Sequence, residues 1–418
     1  MDAQESLCPI IQEFETKGFY KPSYFYIYLK GDFDEDLNKM SKEDIGTFIH
    51  EYIHYLQNIT TVFGLLHSQF QYEVLFLKKI NIVKREAITL PLHIPYAEKF
   101  ERINEKFRIG YGSQEFYQDI DFNNINHIAK SKIIGHNRVP IHLIEVKINV
   151  VEKKEILFGA WHIKESMAHL YQSFFEDDLK KGYDVPYNLV KIIAEKYFPN
   201  IVRDIKKLIS ICYISLWGQY PADIFFTLLR KFEDDTEATG LDILEYACKQ
   251  KWIEVSGVEY SNSEFLPLGV KKFIEKLKKN LAQPDGYFDE IENRVIQAKD
   301  YFPILTVMYE PDFPSLQIIK KIIDIYGFTF VKANNGCIFP AMSQGNNSME
   351  ASSGIMDIVT QGIVFETLEN SEHMCSLIRE CQETDWVNYD CYNNPWLHSE
   401  CPYTLVSNYL NLKDKIKK

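Results

Sequence analysis

The chain contains no segment built to cross a membrane. Its most apolar run, Leu208 to Trp217, is too short and too interrupted to span a bilayer, which takes about 20 apolar residues. The first residues, Met1-Asp2-Ala3-Gln4-Glu5, show no basic segment leading into an apolar one, so no secretory signal is expected. Cysteine is sparse, with 8 in 418 residues, and no Cys-x-x-Cys pair occurs. Without a signal, that usage predicts a cytoplasmic protein with mostly reduced thiols. Positive charge is outweighed, since 46 Lys and Arg face 59 Asp and Glu for a net charge of −13. A general nucleic-acid binder needs a basic footprint, so the balance argues against that class. Clusters such as Lys271-Lys272 and Lys276, Lys278, Lys279 read as one solvated helix face. No internal repeat is visible, which argues against solenoids and propellers.

What is present is enough apolar material for a substantial core, at 46% hydrophobic and 14% aromatic. The length is that of two to three domains, or of one large domain with insertions. Residues 18–29 alternate, with Tyr24, Tyr26 and Tyr28 against Phe25, Ile27 and Leu29, which predicts a strand. Ser41 and Asp44 have the spacing of a capping box and mark a helix start. Apolar residues then recur at Ile45, Phe48, Ile49, Tyr52, Leu56, Ile59, Phe63 and Leu66, a helical period that carries the helix to about residue 70 or beyond.

Inside that helix lies Phe48-Ile49-His50-Glu51-Tyr52-Ile53-His54, which contains His-Glu-x-x-His. Residues four apart share a helix face, so His50 and His54 can hold one metal ion from the same side. At about 100° per residue, the apolar stripe lies roughly opposite the two histidines, and Thr47, Gln57, Asn58 and Thr61 share the histidine side. Neutral imidazoles suit zinc, and Glu51 is placed to act on a metal-bound water.

Further along, residues 86–139 carry no pattern that assigns them. Residues 141–151 alternate, with Ile144, Val146, Ile148 and Val150 against Glu145, Lys147 and Asn149. After the polar turn Glu152-Lys153-Lys154-Glu155, the run Ile156-Leu157-Phe158 returns, which predicts a β-hairpin ended by Gly159. A second amphipathic helix follows. Its apolar side holds Ile163, Met167, Leu170, Tyr171 and Phe174, and its polar side holds Glu165, His169, Gln172 and Glu176. From about 186 to 332 the pattern is mainly helical, with Pro186, Pro221, Pro267 and Pro314 at points where helices begin or break. Residues 334–354 read as a loop, and a helix is expected from Gly354 to Leu368. Between His373 and Cys401 stand Cys375, Cys381, Cys391 and His398, a set that could hold a structural zinc, although its spacing lacks paired cysteines.

On these residues the chain resembles the zincin metallopeptidases, and among them the gluzincins. The resemblance rests on His50, Glu51 and His54, with Glu165 matching the glutamate that a later helix contributes. It covers residues 18–180. The metzincin variant would need Gly where Gln57 stands and His where Thr60 stands. The resemblance implies an α+β fold, with a small antiparallel sheet and the motif helix forming a zincin-like core at 1–180. A helical region at 181–333 would complete the cleft, and 334–418 would form a loop, a helix and the Cys/His-rich tail. It implies one Zn2+ held by His50, His54 and Glu165, with His169 and His162 as rival third ligands. Glu51 would be the general base, and His169 or Tyr220 would stabilise the oxyanion. The implied activity is zinc metalloendopeptidase on a protein or peptide substrate, since no motif for binding a free amine stands out. A silent zincin-fold binding module and a zinc hydrolase of a non-peptide bond remain as alternatives.

Overall fold

The computed structural model describes residues 17–21, 26–89, 91–93, 98–135, 137–148, 152–176, 183–255, 257–280, 286–338, 361–362, 364–365, 368–369 and 402–416. It is a mixed α and β structure with small sheets. The first strands, β1 (Gly18–Lys21) and β2 (Tyr26–Leu29), are the two arms of an antiparallel pair, with Gly18 opposite Leu29 and Lys21 opposite Tyr26. The single strand expected over 18–29 is therefore two. Alternation alone does not show a reversal, whereas Pro22, which has no N–H for a ladder, is the signal that breaks the run.

Helix α1 (Lys42–Thr60) starts where its cap predicts. The Ser41 hydroxyl accepts from the Asp44 N–H at 3.1 Å. Its apolar residues Phe48, Ile49, Tyr52, Leu56 and Ile59 are all in the core. The expected single helix to residue 70 is interrupted at Thr61, whose backbone is extended (φ −125°, ψ 151°) and whose hydroxyl caps α2 (Val62–Lys84) by accepting from Gly64 at 3.0 Å. Helix α3 (Glu98–Tyr111) leads to β3 (Asn126–Ile134), β4 (Asn137–Ile148) and β5 (Glu152–Phe158), a three-stranded antiparallel sheet in the order β3-β4-β5. The expected hairpin is its β4–β5 half, with Ile144 opposite Ile156 and both buried.

Helix α4 (Ala160–Gln172) follows directly on β5 and packs against α1. Then come α5 (Leu189–Tyr197), the turn α6 (Pro199–Val202), α7 (Ile205–Ser215), α8 (Pro221–Phe232) and α9 (Gly240–Cys248). The short hairpin β6 (Ile253–Val255) and β7 (Val258–Tyr260) precedes α10 (Asn262–Asn280), α11 (Gly286–Ala298), α12 (Pro303–Thr306) and α13 (Leu316–Tyr326). Pro221 opens α8 as expected, but Pro267 lies inside α10.

Strands β8 (Phe330–Ala333) and β9 (Gly336–Ile338) return to the first sheet, giving the order β1-β2-β8-β9. The β2–β8 pair is parallel, so the sheet beside the motif helix is mixed, where a wholly antiparallel one was expected. A parallel partner needs a crossover, and here it runs from Leu29 to Phe330, taking in α1 to α13 and the β3-β4-β5 sheet. One apolar core runs from Tyr26 to Ala333, and a second small cluster joins Ile82, Ile88 and Leu92 to Phe365, Val406 and Leu410. Part of the loop expected after 334 is the β8–β9 hairpin, and the described residues of the helix expected at 354–368 are helical. The segment from His373 to Cys401 lies outside the described residues. Among the described residues, no helix is long and apolar enough to cross a membrane.

Candidate metal centre

His50 and His54 project from α1 toward α4 because the apolar residues of α1 fill the opposite side. Glu165 comes from the polar stripe of α4. Their ligand atoms converge. His50 Nε2 and His54 Nε2 are 3.2 Å apart, and Glu165 Oε2 lies 3.4 Å from the first and 3.3 Å from the second. Separations of this size are those expected of three donors that could share one ion through bonds of about 2.0–2.1 Å. Among the described residues this is the one group of three or more His, Cys, Asp or Glu with metal-binding geometry.

The hydrogen bonds behind the rings suit that use. His50 Nδ1 lies 3.0 Å from Gln172 Oε1, and His54 Nδ1 lies 3.0 Å from Gln57 Oε1. An amide oxygen only accepts, so each ring carries its hydrogen on Nδ1 and turns a bare Nε2 inward. Three acceptor atoms then face one another, and they repel unless positive charge lies between them. Burial by itself would raise the Glu165 carboxyl; with no cation in place, protonated rings of His54 and His50 would hold it well below the usual carboxylate range by their charge and hydrogen bonds, the part a bound cation would take over. The donor set therefore fits a divalent cation.

Glu51 lies on the neighbouring face and is buried, and it is not part of the triangle. Burial pushes its carboxyl up to about 8, with Glu165 acting in the same direction and His50 against it. With no cation nearby it keeps its proton to a higher pH than an ordinary carboxyl, and a divalent charge beside it would favour the ionised form that a base needs. Gly18 of β1 stands against it: a Cβ there would lie 2.8 Å from Thr47 Cγ2 and 3.3 Å from Glu51 Cγ.

The other expected residues are placed elsewhere. His169 is outside the triangle, with its ring 5.5 Å from that of Tyr187. His162 is fully buried, accepts from the Gly159 N–H at 3.3 Å and stacks on Phe158. Tyr220 caps the start of α8 with its backbone carbonyl, and among the described residues no contact ties it to the site. Tyr187, which belongs to no motif or periodic run in the sequence, does reach it. Its ring stands edge-on to His50 at 5.8 Å. Burial, then the charges of Glu165 and Glu51, raise its hydroxyl above the ordinary tyrosine value. The loop that carries it is anchored by Ser166 Oγ donating to the Pro186 carbonyl at 2.7 Å and by the Tyr117–Val185 bridge.

The chain matches no known family model, no curated protein and no solved structure.

Proposed function

We propose that this chain is a zinc-dependent metalloendopeptidase of gluzincin type, with a zincin-like core built on α1, α4 and the β1–β2 sheet. The observation that carries the reading is the convergence of His50 Nε2, His54 Nε2 and Glu165 Oε2, with Glu51 buried beside them. Zinc, when bound, would supply the Lewis acid that polarises a carbonyl and acidifies a water. Glu51 takes the proton of the attacking water and passes it to the leaving amine. Tyr187 offers its hydroxyl to the oxygen that gains charge in the transition state. A binding module has no use for a buried acid in the position of Glu51. Peptide is favoured over another acyl bond because β1 lies beside Glu51, where an extended chain can align with a strand. The substrate class is a protein or peptide, and the place of action is the cytoplasm.

The test is Glu51→Gln, which keeps size and hydrogen bonding and removes the base. Zinc content and folding should match the wild type, while hydrolysis falls by about 10²-fold or more, the scale of a lost general base. The substrate is found by comparing cleaved proteins in cells that express the wild type or the variant. His50→Ala with His54→Ala should also abolish zinc retention. Identical cleavage in wild type and Glu51→Gln would leave a binding module in place of the enzyme.

A further inference from the structure

We infer that Glu176 locks His50 in the tautomer that can bind a metal, acting through the amide of Gln172. The inference rests on reading the triad as a metal site, and it concerns only how one of its ligands is prepared.

His50 Nδ1 is 3.0 Å from Gln172 Oε1, and Gln172 Nε2 donates to Glu176 Oε2 at 2.8 Å. All three side chains are buried, so water does not compete for these bonds. A glutamine amide has nearly the same shape when its oxygen and nitrogen exchange places, and only its partners select the orientation. In the exchanged orientation the NH2 would donate to His50 Nδ1. The ring hydrogen would then move to Nε2, where it would point at Glu165 Oε2, 3.4 Å away. That arrangement satisfies His50 and Glu165 without a metal, and it removes the lone pair a metal needs. It is therefore a true competitor.

Glu176 eliminates it. A carboxylate accepts and has no hydrogen to give. Exchange would set the Gln172 oxygen against the Glu176 oxygen, two buried acceptors with no proton between them. The carboxylate is itself seated against Gly46 of α1, one turn before His50, and a Cβ at that position would collide with Glu176 Oε2. His54 is prepared by the same logic with a backbone acceptor, since Gln57 Nε2 donates to the Lys164 carbonyl at 3.2 Å. The lock on His50 is a side chain, so it can be changed. The polar stripe of α4 thus divides its work: Glu165 is a ligand, Gln172 holds a ligand, and Glu176 fixes the direction of that hold.

Glu176→Gln removes the lock with almost no change of shape, because an amide at 176 can accept or donate. The first readout is the nitrogen spectrum of histidine-labelled, metal-free protein, in which the His50 signals are assigned by their loss in His50→Gln. Wild type should show His50 with its hydrogen on Nδ1, and Glu176→Gln should show a mixture or the other tautomer. The second readout is zinc affinity by chelator competition. It should fall by about 2-fold if the two orientations become equally populated, and by up to about 10–100-fold if the flipped one prevails, the range for a lost outer partner. The exchange variant Gln172→Glu with Glu176→Gln puts the carboxylate directly on His50 and should restore both the Nδ1–H tautomer and the affinity. A Glu176→Gln protein that keeps a single Nδ1–H tautomer and unchanged affinity overturns the inference. If Glu176→Gln does not fold, the exchange variant decides, because failure to recover fold, tautomer and affinity also overturns it. A wild type with the expected tautomer that takes up no zinc removes the metal reading and leaves the lock standing.

Discussion

A histidine ring has two nitrogens, and the proposed triad can hold a metal only if each ring turns the bare one inward. The motif made His50, Glu51 and His54 legible in the sequence, since their chemistry depends on helical spacing alone. Glu165 was legible at one remove, because α4 repeats the apolar-back, polar-front plan of α1 and offers a carboxylate on its polar side. Gln57 and Gln172 stood on the same polar faces, but nothing in composition says that a glutamine will hold a histidine. Tyr187 gave no signal. It lies outside any periodic element, and its place over His50 is set by Ser166 and by the Tyr117–Val185 bridge. Its role can be isolated. Tyr187→Phe keeps the ring against His50 and removes only the hydroxyl. Zinc affinity and melting temperature should stay at wild-type values, while kcat falls by about 10²–10³-fold, the cost of one oxyanion donor. A variant with wild-type kcat would take Tyr187 out of the chemistry and return attention to His169.

Elements were read well where a local signal marks their ends and poorly where it does not. Ser41 announced the start of α1. The break at Thr61 stayed hidden because the apolar period continues through it, with Phe63 buried on the same side of the sequence pattern. The break brings the first turn of α2 onto the last turn of α1. A Cβ at Gly64 would collide with the Gln57 carbonyl oxygen and lie 2.5 Å from Asn58 Cα, both backbone and unable to swing aside. Gly64→Ala should therefore force the two helices apart and cost about 1–3 kcal/mol, the range for overpacking in a core. Gln57 orients His54, so zinc affinity should fall in the same variant while α-helical circular dichroism is retained. Equal stability to urea and equal zinc affinity would show that the joint is looser than its spacing implies. The mixed sheet was illegible for a different reason. The β2–β8 pairing joins segments about 300 residues apart in sequence, and periodicity carries no information about partners.

At the scale of the whole molecule, the core draws side chains from either side of residue 180, and that too is a matter of long-range contact. The core also encloses histidines that take no part in the triad. Burial pushes His162 down to about 3 and half-buried His127 down to about 4, the latter helped by His142 and Arg230, and His67 is held well below its usual value by burial and by Lys164. Each stays neutral in the folded state at pH values where the unfolded chain takes up a proton. Their contribution is complete above the unfolded value of 6.5 and is lost as the pH falls toward the folded values. For fully buried His162 the slope is about 1.4 kcal/mol per pH unit. Glu51 acts in the opposite sense. Its folded value of about 8 means that the folded state keeps a proton the unfolded chain has shed above 4.5, so its stabilising share grows as the pH falls. Carboxyls with lowered values, Glu165 and Asp223, lose their share only near and below the ordinary carboxylate range. The histidine effect is therefore cleanest in chelator-treated Glu51→Gln between pH 7 and pH 5. There the urea midpoint should drop steadily with falling pH, and substituting His127 by Gln should make the drop shallower. A midpoint that is flat or rises over that interval would mean that the buried rings are already protonated in the folded protein and have partners for the charge.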